Sequence, residues 1–368
     1  MRGAIRVCSR DITDKPAHGG YSGGEIIVDF SSNLHPEPPP ESILNAARIG
    51  IDKSVRYPEA DVKSFRDEIG DQLGLSPELI SVGAGSSSLL YALLFTLKPR
   101  AVVLPTPCFS EYPYLAKLAG ASIIEHSTEQ NGADGDAFEQ PPPIPPKSCV
   151  LLSNPVNPTG RLIPDETLRR WRKAAHEAGG WIIVDEAYAD FTENGPVIHA
   201  DDFSDETMIV LRSPLKFYTL PGLRAGLAAS HTRISARLRA NLPPWPISTP
   251  AVYAWRAALQ LPRDAVHIRR RRVRNWADSF YRALTTIPAL QMATSDVHFF
   301  LARLSAEAPD GHALSERLAG EGLCIRTSDG MPGLSSRHIR ISTRYPEENG
   351  KLVGALKKIY KTESVGAA

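Results

Sequence analysis

Cysteine is scarce in this sequence: Cys8, Cys108, Cys149 and Cys324 are spread over 368 residues with no CxxC pair among them. That argues against a disulfide framework, offers no metal-ligand spacing, and suits a reducing cytoplasm. Long apolar runs are lacking too. No stretch keeps together the roughly 18 uncharged apolar residues a membrane-spanning helix needs. The opening MRGAIRVCSR has no apolar core of the kind a signal peptide carries. An excess of charge is also missing: 42 Lys and Arg against 41 Asp and Glu leave a formal net charge of +1. Neither nucleic acid nor an anionic membrane is implied as a partner. The expectation is a cytoplasmic globular protein, long enough for one large domain and a smaller companion.

Residues 1–35, rich in Gly and Pro up to SSNLHPEPPP, read as an irregular N-terminal arm. From 36 to 245 helical and strand patterns alternate. LISVGAG reads as a strand entering a Gly turn, and SSSLLYALLFTL as a buried helix. AVVLP, ASIIEHS, CVLLSNP, WIIVDEAY and MIVLRS read as strands, and PDETLRRWRKAAHEAG as an amphipathic helix. This alternation predicts an α/β large domain of three αβα layers, with a mostly parallel central sheet covered on both faces. From 246 to 368 two long helices, three strand segments and a final helix predict a smaller α+β C-terminal domain, joined by the arm. The run HIRRRRVR (267–274) falls in a helical pattern with Val266, Val273, Trp276, Phe280 and Leu284 on one side. It reads as a helix with a solvated basic face.

Four segments carry chemistry. In VGAGSSSLL a strand passes through a Gly turn into a helix, with Ser86 and Ser87 in the first turn. Such a helix start can hold a phosphate, although Ser there is also a good N-cap. In WIIVDEAYADF, Asp185 ends an otherwise buried strand, where a carboxylate needs a partner. Tyr188 follows it. SNPVNPTG, after CVLL, makes a rigid turn at a strand end and presents Asn157 where ligands sit in open α/β sheets. In RSPLKFYTLPGLRAG, Lys216 stands among apolar residues that favour its neutral amine. Ser213 and Arg224 flank it. Each segment alone has an ordinary structural explanation. Together they supply an imine-forming lysine, a carboxylate for a pyridine nitrogen, a donor for a ring oxygen and a phosphate cradle, which are the needs of pyridoxal phosphate.

The chain resembles the class I/II aminotransferase family, fold type I of the pyridoxal-phosphate enzymes, over nearly its whole length. The resemblance rests on the Gly-turn cradle, the aromatic of PTPCFSEY, NPxNPTG, DEAY, the SxxK lysine and the downstream arginine, in that order. It implies Lys216 and Asp185 as catalytic residues. It also implies that Phe109 stacks on the cofactor ring and that Tyr57, in RYPEA, reaches the phosphate of a neighbouring subunit. The implied assembly is a homodimer with shared active sites. Arg340, in HIRIS, would take the substrate carboxylate through a bidentate contact.

Two branches compete. KFYTLPGLR, the early HGG (His18, Gly19, Gly20), DFSSNLHP with Asn33, and SDVHFFL are similar to threonine-phosphate decarboxylases. Arg326 and Arg340 are spaced like that branch's substrate arginines. This implies His18, Asn33, Arg326 and Arg340 as substrate-binding residues. Histidinol-phosphate aminotransferases share the plan and the RYP. Two departures stand out: Tyr21 follows HGG where that branch has Asn, and Leu215 precedes the lysine where a hydroxyl donor is usual. The first bears on the substrate, because the arm closes over it; the second removes one phosphate contact. The expected activity is decarboxylation of an O-phosphorylated or similarly anionic amino acid. Transamination of the histidinol-phosphate type is the alternative, and a non-catalytic pyridoxal-phosphate-binding protein a third.

Overall fold

Segments such as CVLLS, WIIVD and MIVLR are apolar at every position but the last, not at alternate ones, so a strand made of them must be covered on both faces. The computed structural model describes residues 15, 28–128, 138, 140–195 and 200–366, and in it these segments are central strands. The sheet runs, in spatial order, Ile80–Gly83, Gly226–Ser230, Met208–Arg212, Trp181–Asp185, Cys149–Ser153, Ala101–Thr106 and Ser122–Ser127. Gly226–Ser230 pairs antiparallel with both neighbours; all other pairings are parallel. Val150, Ile182, Val184 and Val210 face a core shared with Trp171 of the helix Asp165–Glu177. The alternate positions Leu151, Ile183 and Ile209 pack with Leu89 and Leu93 of the helix Ser86–Leu97. The three-layer expectation is met.

The smaller unit has a four-stranded antiparallel sheet in the order Arg326–Thr327, His338–Ser342, Phe299–Leu304, Leu290–Met292. The helices Gly311–Ala319 and Pro346–Gly366 belong with it. The arm is not irregular throughout. Val28–Asp29 forms a parallel pair with Leu323–Cys324, and Val28 and Phe30 join the core of Phe280, Ile341 and Leu356. Two apolar side chains in a Gly-rich context left little periodicity to detect.

The two cores also divide later than residue 246. Ile247, Ala251 and Trp255 pack with Ile43 and Phe65 of the large domain, as does Val273. Ala277 and Phe280, on the same helix Arg263–Leu284, pack in the small core. The helix Thr249–Leu259 lies against Glu41–Asp52 so closely that a Cβ on Gly50 would stand 2.6 Å from the Cα of Pro250.

The basic run departs from expectation as well. Arg269 and Arg270 are buried, not solvated. Arg270 donates to the carbonyl of Asp190 at 2.8 Å, and Arg269 to several backbone carbonyls. An arginine can leave water when its fork finds such acceptors, and no sequence pattern announces where they will be.

Candidate active site

The C-terminal ends of the parallel strands collect the candidate residues, as open α/β sheets do. Ser86 opens its helix after Gly85, which adopts a φ of 90°. A Cβ on Gly85 would lie 2.8 Å from Nη2 of Arg224. On the antiparallel strand, a Cβ on Gly226 would lie 2.5 Å from the backbone nitrogen of Ser86. Two glycines therefore let the helix start, the Arg224 guanidinium and the neighbouring strand meet. Ser213 donates its hydroxyl to that of Ser86 at 2.7 Å. Ser86, Ser87, Ser213, Lys216 and Arg224 line one cleft. Free helix N–H groups, hydroxyls and a guanidinium around a small space form an anion cradle. A larger cavity of about 560 Å³ lies elsewhere, against the helix Asp165–Glu177, and touches none of these residues.

Asp185 ends its strand buried. Tyr112 donates its hydroxyl to Oδ2 at 3.1 Å, and the N–H of Ala187 donates to Oδ1 at 3.1 Å. Burial pushes this carboxyl above the ordinary aspartate value, while the charge of Lys216 and the two donors pull it back. A carboxylate so desolvated gains most from a cation that can share its space. Phe109 meets Tyr112 edge-on, with ring centroids 5.6 Å apart. The Lys216 amine stands 4.5 Å from the centroid of the Tyr188 ring.

On the small-domain side, Arg340 donates through Nη1 to Oδ1 of Asn157 and through Nη2 to the carbonyl of Ser31, both at 2.7 Å. Its Nε is buried without a partner among the described residues. Burial lowers its pKa to about 10, with the Tyr188 side chain acting the other way and Arg326 adding to the fall. Arg326 is its direct register partner in the antiparallel pair, and it too is buried. Asn33 is 4% exposed, and neither end of its amide finds a partner among the described residues. An unmade hydrogen bond at a buried amide is costly, so this side chain is suited to a ligand group.

Lys216, Asp185, Tyr188, Asn157, Ser86, Ser87, Ser213, Arg224, Arg340 and Arg326 thus converge from segments far apart in sequence. Tyr57 does not join them within one chain: it is 77% exposed and stacks on Trp245 at 4.1 Å. His18 lies outside the described residues. Sequence reasoning overlooked Tyr112, although it stands three positions after Phe109 in CFSEY and its burial demands a partner.

The sequence profile described as aminotransferase class I and II matches residues 25–356. The chain belongs to that family. It is therefore a pyridoxal-phosphate-dependent enzyme, and the cradle opened by Gly85 and Gly226 and the desolvated carboxylate of Asp185 fit that cofactor. Among similar proteins is the histidinol-phosphate aminotransferase 2 of Archaeoglobus fulgidus, 30% identical over 90% of this chain and 93% of the relative. Another is the threonine-phosphate decarboxylase of Salmonella typhimurium, 31% identical over 90% of this chain and 91% of the relative. The fold matches the crystal structure of the L-threonine-O-3-phosphate decarboxylase of Porphyromonas gingivalis, with a TM-score of 0.79 at 22% identity over 91% of this chain and all of that one. Among the described residues of this family member, no helix is long and apolar enough to cross a membrane.

Proposed function

We propose that this enzyme decarboxylates an O-phosphorylated or similarly anionic amino acid. The observation that carries the proposal is the pairing of Arg326 and Arg340 as direct neighbours in the small-domain sheet, both buried, with Arg340 bonded to Asn157 and Ser31 and Arg326 to the carbonyl of Asp329. Two buried guanidiniums facing each other in one sheet place two positive charges close together, which suits a substrate that carries two anionic groups. The similarity to threonine-phosphate decarboxylases points the same way.

Bound pyridoxal phosphate supplies an electron-poor ring that withdraws electrons from the substrate's α-carbon. In this reading Lys216 holds the cofactor, and Ser86, Ser87, Ser213 and Arg224 take its phosphate. Asp185 keeps the pyridine nitrogen protonated, Phe109 covers the ring, and Asn157 and Tyr188 serve the ring oxygen. Arg340 takes the substrate carboxylate, while Arg326, with Asn33 and His18, takes the second anionic group. The two arginines thereby determine which bond at the α-carbon is presented for cleavage. The carboxylate would depart as carbon dioxide, leaving its bonding pair at the α-carbon, and Lys216 in its protonated form would deliver a proton to that carbon.

The same lysine can instead remove the α-proton, which is the transaminase reading, supported by the similarity to the histidinol-phosphate aminotransferase 2 of Archaeoglobus fulgidus. Carbon dioxide released from a phosphorylated amino acid without any 2-oxoacid supports decarboxylation. Turnover that requires 2-oxoglutarate overturns it in favour of transamination. Loss of the visible cofactor band in Lys216→Ala tests the lysine assignment.

The assembly we propose is a homodimer with shared sites. The exposed stack of Tyr57 on Trp245, and the exposure of Ile49, Ile51 and Val55, support it. Sedimentation as a monomer at micromolar concentration would count against it.

A further inference from the structure

The buried arginines of the basic run reach the lysine segment. Arg269, on the helix Arg263–Leu284, is 8% exposed, and each of its three nitrogens has acceptors. Nε donates to the carbonyl of Phe217 at 3.2 Å. Nη1 donates to the carbonyl of Pro38 at 3.1 Å and to the Glu37 carboxylate at 3.2 Å. Nη2 donates to the carbonyl of Glu37 at 3.0 Å and to Oγ1 of Thr219 at 3.4 Å. Phe217 directly follows Lys216.

Thr219 is the second part of this arrangement. Its φ is 57°, in the left-handed region that a β-branched side chain strongly avoids. A residue held there depends on bonds from its surroundings. The Thr219 hydroxyl shares its proton between the carbonyls of His35, at 3.0 Å, and Glu37, at 2.8 Å. Its own N–H donates to the carbonyl of Lys216 at 3.2 Å, which closes the turn that carries the lysine.

The chain that supplies those carbonyls also serves the substrate side. A few residues before His35 lies Ser31, whose carbonyl accepts from Arg340, and between them lies Asn33, whose amide has no partner among the described residues. The lysine turn and the substrate-side segment are therefore fastened to each other through Thr219 and Arg269. The helix bearing Arg269 continues into the small domain, where Ala277 and Phe280 are part of the core.

We propose that Arg269 and Thr219 are positioning residues for Lys216, clamping the lysine turn against the segment 31–38 so that the amine and Arg340 keep one mutual geometry. The inference rests on Lys216 being the cofactor lysine. A purely structural clamp would change only the melting temperature. A positioning clamp also changes the environment of the lysine nitrogen once the cofactor is bound, and the visible absorbance of the loaded protein reports that environment as a function of pH.

The test compares wild type with Arg269→Gln, Thr219→Ala, Thr219→Ser and Lys216→Ala. It follows the pH midpoint of the cofactor band, kcat and KM, and the melting temperature of the cofactor-free protein. Arg269→Gln and Thr219→Ala should each move the midpoint by roughly half a pH unit or more. They should also lower kcat by about tenfold, the scale of a small misplacement of a reacting group. Thr219→Ser, which keeps the hydroxyl, should restore both. Soluble variants with an unmoved midpoint and wild-type kcat, whatever their melting temperature, overturn the proposal, as does a Thr219→Ser no better than Thr219→Ala. Should Arg269→Gln fail to fold, the Thr219 pair decides alone. A band that persists in Lys216→Ala shows instead that the cofactor lysine lies elsewhere, and the clamp falls with that assignment.

Discussion

Tyr112 donates its hydroxyl to Oδ2 of Asp185 at 3.1 Å, joining a helix that follows one strand to the end of another strand. The bond stabilises the charged form of a carboxylate that burial disfavours. Tyr112→Phe removes a hydrogen bond to a charged group, a loss of about 1.5–3 kcal/mol. Because Asp185 faces a protonated ring nitrogen in the proposed site, cofactor affinity should fall by about tenfold or more. Titration of the cofactor-free variant with pyridoxal phosphate measures it, and an unchanged Kd would contradict the pairing of Asp185 with the ring.

Gly226 allows its strand to approach the cradle. Gly226→Ala would set a Cβ 2.4 Å from the carbonyl carbon of Gly85 and 2.5 Å from the nitrogen of Ser86. Both are backbone atoms, so the strand or the helix start must shift, at about 1–3 kcal/mol of overpacking. The expected result is a lower melting temperature together with weaker binding of the cofactor phosphate. Inorganic phosphate, used as a competitor for the cradle, should lose affinity in parallel.

The two arginines should separate in kinetics. Arg340→Lys keeps a charge but loses the fork that now holds Asn157 and Ser31. Arg326→Lys leaves those bonds intact. In the decarboxylation reading, Arg340→Lys should depress kcat/KM for every amino-acid substrate. Arg326→Lys should selectively raise KM for the substrate bearing the second anionic group. Equal effects on phosphorylated and unphosphorylated substrates would contradict that division of roles.

His35 makes stability depend on acidity. The N–H of Glu37 donates to its Nδ1 at 3.1 Å, and its Nε2 lies 3.3 Å from the carbonyl of Arg269. Burial first, and then the charge of Arg269, lower its pKa from the ordinary 6.5 to about 3. The unfolded chain binds the proton near pH 6.5 and the folded chain only near 3. The stabilisation is therefore complete above the unfolded value and is lost as pH falls through this window, at up to about 1.4 kcal/mol per pH unit. His298, also buried with its pKa lowered, adds a slope of the same sign. Urea unfolding between pH 7 and 4.5 should show a shallower dependence in His35→Phe than in wild type.

Much of the fold was legible because the signal was local. The helix Ser86–Leu97 and the strands Cys149–Ser153 and Trp181–Asp185 coincide with the apolar segments read as such. Gly226–Ser230 was not recognised, since GLAAS is built of small residues whose strand role is to let the cradle approach. In the site, Lys216, Asp185, Asn157 and Arg224 were legible through spaced motifs, each next to a turn or a strand end. Tyr112 and Arg269 were not. A tyrosine in CFSEY and an arginine in HIRRRRVR look like many others until their acceptors, remote in sequence, are located.

The sequence by itself determined the alternation of strands and helices, the family and the cofactor, because these depend on residue type, order and short spacing. Tertiary structure decided which residues share the site with Lys216. It opposed Arg326 to Arg340 through strand register, buried Arg269 against carbonyls some fifty and more than two hundred residues away in the chain, and left the amide of Asn33 without a partner among the described residues. The reason is that burial and hydrogen bonding are properties of the packed chain: the same arginine is a solvated charge or a clamp according to which carbonyls the fold brings within about 3 Å.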